Sequence, residues 1–116
     1  MSSIANVVAA LQAHLQTARK VVTSHDIYRD PVEPIMCQDG TRFSVQAGRF
    51  CYCSPENDQG PWDTVEVMTL KSPTNVTPRN WENDEDGLAG WVPIEAVAQE
   101  IIDRGYIQVV IINEGN

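Results

Sequence analysis

The sequence predicts an α+β fold: a mainly antiparallel sheet of four to five strands with an N-terminal and a C-terminal helix packed against it. Three observations carry that expectation. Apolar residues recur at helical spacing near both ends of the chain. An Asp-Gly pair at 39–40 is flanked by alternating residues, the mark of a tight hairpin. The stretch "YIQVVII" at 106–112 is an unbroken β-branched run of the kind that forms a buried strand. A chain of 116 residues suits one domain with one modest core, so residues 1–116 are read as a single unit.

The first helix is expected over residues 3–21. Ile4, Val7, Val8, Leu11 and Leu15 form its stripe, and Ser2 or Ser3 is its cap. His14 sits at the edge of that stripe, as a rim residue. "SHDIYRDPVEP" carries two prolines and reads as an extended connector. A two-residue turn at Asp39-Gly40 would pair Gln38 with Thr41, Met36 with Phe43 and Pro34 with Val45. Met36, Phe43 and Val45 then face the core, with Cys37 on the other face opposite Arg42.

"GRFCYC" is expected as the next strand, followed by the turn-rich "SPENDQGP" and a returning strand, "WDTVEVMTL". In that strand Val65 and Val67 share one face, Glu66 and Met68 the other. Residues 71–90 lack periodicity and read as a long functional or mobile loop. "GWVPIEAVAQEIIDRG" is the second helix, with Pro93 in its first turn, a stripe of Ile94, Val97, Ala98, Ile101 and Ile102, and Gly105 past its end.

The charge is −8 and unevenly spread. Residues 1–30 carry +1, whereas residues 82–104 carry −6 through Glu82, Asp84, Glu85, Asp86, Glu95, Glu100 and Asp103 against Arg104. Such a face repels nucleic acid and attracts basic protein surfaces. Trp81 and Trp91 flank its acidic run, and aromatic residues ringed by charge are typical of protein contact sites. The expected partner-binding residues are therefore Trp81, Glu82, Asp84, Glu85, Asp86 and Trp91. The expected partner is a protein with a basic surface, without direct nucleic-acid or membrane contact. A homodimer formed by edge pairing of "YIQVVII" is the structural alternative.

Three cysteines, an odd number, argue against a disulfide framework and for a reducing, cytoplasmic setting. The basic residues of "MSSIANVVAALQAHLQTARK" follow its apolar part, the reverse of a secretory signal. A zinc site would have to combine His25, Cys37, Cys51 and Cys53, with one residue between the close pair where two to four are usual. The second candidate centre is the turn over residues 51–62, in which Tyr52, Ser54 and Trp62 would line a small-ligand site or a small enzyme's centre. "ENDEDG" at 82–87 fails as a calcium loop, because Pro93 stands at its twelfth position and Glu82 at its first. No glycine-rich phosphate loop is present, and with only His14 and His25 as histidine bases a nucleophilic triad is poorly supplied. The expectation is a non-enzymatic protein with no cofactor.

"SVQAGRFCYCSPENDQGPWDTVEV" followed by "WVPIEAVAQEII" resembles a family of small uncharacterised bacteriophage and prophage proteins. Its pattern is an SVQAS…YCSPR…GPY…VEV block and then a VPVEVV…LI helix. The match covers residues 44–67 and 91–105. Departures are Gly48 for Ser, Glu56 for Arg, Trp62 for Tyr, Met68 for Gly, and "DRGY" for the family's terminal HGG. The resemblance implies a phage or prophage accessory protein working in the host cytoplasm, and carries no mechanism. Small acidic proteins of that class commonly act by binding a host protein, either inhibiting a nuclease or defence complex or redirecting a regulator.

Overall fold

The computed structural model describes residues 3–25, 27–71, 88–105 and 107–110. Helix α1 spans Ile4–Leu15, with the Ser3 hydroxyl accepting from the Asn6 amide at 3.2 Å. Its buried stripe is Val7, Leu11 and Leu15. The helix stops six residues before the sequence predicts, because the Thr17 hydroxyl donates to the His14 carbonyl at 2.6 Å and a β-branched run follows. Ala18, Val21 and Val22 continue the helical spacing by coincidence. Instead, Lys20–Val22 (β1) pairs antiparallel with Ile27–Arg29 (β2), Val21 lying opposite Tyr28. The expected connector thus contains a strand, and both of its prolines fall after that strand's end.

The main sheet is antiparallel throughout. Its members are β3 (Ile35–Cys37), β4 (Arg42–Gln46), β5 (Thr64–Lys71), β6 (Leu88–Pro93) and β7 (Ile107–Val110), in the spatial order β6-β5-β4-β3-β7. Helix α2 spans Ile94–Asp103 and buries Ile94, Val97, Ala98 and Ile101. These residues, the α1 stripe and one face of the sheet make a single core with Ile35, Cys37, Phe43, Val45, Val65, Val67 and Val92. The α+β expectation is met. The opposite face carries half-buried Met36, Ser44, Gln46, Glu66 and Met68.

Between β3 and β4 the turn differs from the expected one by a residue. Ile35 pairs with Phe43 and Met36 with Arg42. The Cys37 amide donates to the Thr41 carbonyl at 2.8 Å, and Gly40 (φ 92°) donates to the Cys37 carbonyl at 3.0 Å. The loop therefore has three residues, with Gly40 in the left-handed position of a bulge. Because side chains alternate, that single extra residue exchanges Met36 and Cys37: Cys37 is fully buried and Met36 faces outward. The loop is held by Arg104, which donates to Glu100 at 2.8 Å and to the buried Thr41 hydroxyl at 2.9 Å, and reaches Asp39 at 3.4 Å.

Two further expectations are corrected. "GRFCYC" forms bends and turns, with an isolated bridge between Ser54 and Thr64 in place of a strand. The second helix starts at Ile94, and residues 88–93, expected as loop and helix start, form β6. Gly105 (φ 87°) closes α2 as expected, donating to the Ile102 carbonyl at 3.0 Å.

Candidate functional site

The segment leaving β4 passes Glu66 of β5 and Gly90 of β6 at Tyr52, and reaches helix α1 with Gln59 and Trp62. Its inner side is built from Cys53, whose sulfur accepts from the Gly48 amide at 3.3 Å and lies 3.2 Å from the Gly48 carbonyl. Burial pushes the Cys53 thiol up; the Gly48 hydrogen bond opposes this, and the carboxylates of Glu56, Glu66 and Asp58 reinforce it. These effects disfavour the thiolate, the form in which a cysteine acts as a nucleophile.

Trp62 closes the far end of this segment and is 1 % exposed. Its indole N–H donates to the Asn57 carbonyl at 3.0 Å. The Gln12 side-chain amide meets its backbone on both sides, accepting from Trp62 N at 3.0 Å and donating to Trp62 O at 2.7 Å. Gln46 repeats the device on Val32, at 2.8 and 3.0 Å. Each glutamine supplies the donor and acceptor that a neighbouring strand would supply. Trp62 is therefore a core plug and leaves the ligand set predicted for the turn. The Ser54 hydroxyl is 2.8 Å from that of Thr64, an internal bridge.

What the turn presents outward is aromatic. Tyr52 is 53 % exposed, Phe50 71 % and Trp91 56 %. The Tyr52 amide donates to the Glu66 carboxylate at 2.9 Å, and its carbonyl accepts from the Trp91 amide at 2.9 Å. Trp91 sits on a bulge in β6. Val65 pairs with Val92 and Val67 with Ala89, so Gly90 and Trp91 together oppose Glu66. Trp91 takes φ 51°, the left-handed region, where a bulky side chain costs about 1–3 kcal/mol. A side chain at Gly90 would bring its Cβ within 2.8 Å of the Tyr52 Cβ, so only glycine lets the turn lie this close. The two rings stack with centroids 5.0 Å apart and planes tilted 31°. On the same segment as Tyr52, the Arg49 guanidinium lies over the Phe50 ring at 4.6 Å and 3.7 Å from Asp58. A cleft of about 150 Å³ is lined by Phe50 and Pro31 on its apolar side, by the carboxylates of Asp30, Asp58 and Glu66, and by Arg49 itself.

The structure does not group the four residues a zinc site would have had to combine. His25 is exposed next to β1, Cys37 lies in the core on β3, and Cys53 is buried under the turn. Among the described residues, no three His, Cys, Asp or Glu side chains are grouped to hold a metal ion. Burial, reinforced by Asp39, pushes the Cys37 thiol up to about 11. Trp81, Glu82, Asp84, Glu85 and Asp86 lie outside the described residues. No described helix is long and apolar enough to cross a membrane. Of the expected sites, the structure brings Tyr52 from one and Trp91 from the other into a single surface. Sequence reading missed Phe50, Glu66 and Gly90 as parts of it. The available signal was the Gly-Trp pair inside an otherwise apolar strand.

The chain matches no protein-family model, no curated protein and no solved structure in comparisons with each.

Proposed function

We propose that this protein is a binding module that uses the Tyr52–Trp91 face to engage a basic surface on another protein. The observation that carries the reading is Trp91 itself. Its backbone occupies a costly conformation, yet more than half of its side chain is exposed, so burial does not repay the strain within the chain. A partner that covered the indole would supply that missing burial. Charge points to the partner's chemistry: the chain carries −8, and Glu56, Asp58 and Glu66 surround the turn closely enough to act on Cys53. The acidic residues Glu82, Asp84, Glu85 and Asp86 precede β6 directly in sequence and add to the same balance. The phage or prophage setting implied by the resemblance favours a host nucleic-acid-binding complex as target, with inhibition as the outcome.

Capture from a bacterial host lysate, with wild type and Trp91→Ala compared by mass spectrometry, tests this. The expected result is a basic protein retained by wild type and lost by the variant, with both proteins equally folded by circular dichroism. Identical recovery by the two proteins contradicts it.

A further inference from the structure

The face is suited to one kind of cationic group. We infer that the partner is read through an arginine whose guanidinium stacks in the aromatic cluster and pairs with Glu66; this rests on the binding-module reading above. The molecule already makes such a contact within itself, since Arg49 lies over Phe50 at 4.6 Å. Phe50 nevertheless remains 71 % exposed, so most of its surface is open to a second group. Guanidinium is planar and weakly hydrated and stacks on aromatic faces, whereas a lysine ammonium keeps its water.

Glu66 joins the two halves of the surface. Its carboxylate lines the cleft beside Phe50 and also accepts the Tyr52 amide at 2.9 Å. A carboxylate has about four lone-pair directions, so one N–H leaves room for a forked guanidinium. The cleft, about 150 Å³, admits a side-chain head group and falls below the roughly 300 Å³ at which small-molecule sites begin. Main-chain recognition is disfavoured at β6. The bulge at Gly90 and Trp91 and the proline at its end blunt that edge against strand addition.

The test is fluorescence anisotropy with labelled Gly/Ser peptides carrying arginine, lysine or citrulline at the same positions. Wild type is expected to bind the arginine peptide about fivefold more tightly than the lysine peptide, with citrulline weakest. Glu66→Gln, whose amide oxygen still accepts the Tyr52 N–H, and Trp91→Ala should each abolish the arginine preference. Equal affinity for arginine and lysine peptides, or a preference that survives Trp91→Ala, overturns the inference. In that event, continued loss of the captured partner on Trp91→Ala would show that the binding-module reading stands without the arginine. Capture indifferent to Trp91 would remove both.

Discussion

Two tryptophans of this chain, Trp62 at the end of the folded-back segment and Trp91 on the β6 bulge, serve opposite ends. Trp62 is 1 % exposed, its indole N–H is satisfied and its backbone is gripped by Gln12. Trp91 is 56 % exposed, and its backbone is held at φ 51° by a bulge. The first region spends its aromatic residue on stability. The second accepts strain to hold an aromatic ring in solvent. A residue type enriched in cores and in interfaces is thus assigned to one or the other by its backbone and its burial, and its identity alone decides neither.

The largest expected effect separates the two directly. Trp62→Ala should destabilise the fold by about 3–5 kcal/mol in urea denaturation, a large part of a total of roughly 5–15 kcal/mol. Trp91→Gly, by contrast, relieves a left-handed backbone and should shift stability by less than about 1 kcal/mol. Similar losses from the two substitutions would break the distinction.

Gln12→Ala sharpens the Trp62 half. It removes the two hydrogen bonds that Gln12 makes to the Trp62 backbone, and should cost about 1–3 kcal/mol by the same measurement. Gly90→Ala sharpens the other half. Its Cβ would overlap that of Tyr52 at 2.8 Å, so the turn must shift, with a loss of about 1–3 kcal/mol and weaker partner binding together. Stability unchanged by Gly90→Ala would mean that the turn does not rest on β6.

The smallest effect is a control away from both regions. Burial acts to raise the Asp39 carboxyl, but the Thr41 hydrogen bonds and the Arg104 guanidinium outweigh it and hold the group below its ordinary 3.8. Ionised Asp39 therefore contributes stability that is present above its ordinary value and is lost as pH falls through its depressed one. Half-exposed and screened, it should contribute weakly, and Asp39→Asn should flatten the acid limb of a pH–stability curve below about pH 4.

The sequence made the secondary-structure classes legible wherever pattern and chemistry agreed. The Ile94, Val97, Ala98 and Ile101 stripe, the alternation in "TVEV" and the Gly105 stop were all readable. Register was not, because a two-residue and a three-residue loop both use Asp-Gly, and only the Thr41 carbonyl's bond to the Cys37 amide distinguishes them. The site was legible in pieces. Tyr52 and Trp91 could each be singled out, but they meet through a bulge and a bridge across 39 positions of sequence, contacts that no local pattern encodes. Placing Trp62 in the lining of a ligand turn failed for a related reason: its partner Gln12 is 50 residues away.

The central claim is that Trp91 is held out for a partner. Its most direct test is titration calorimetry of the captured partner into wild type and Trp91→Ala, with urea unfolding of both proteins. The account predicts a loss of affinity of about thirtyfold or more, as for an interface hot spot, with the unfolding midpoint nearly unchanged. Undiminished affinity, or a loss matched by a collapse in stability, would contradict it.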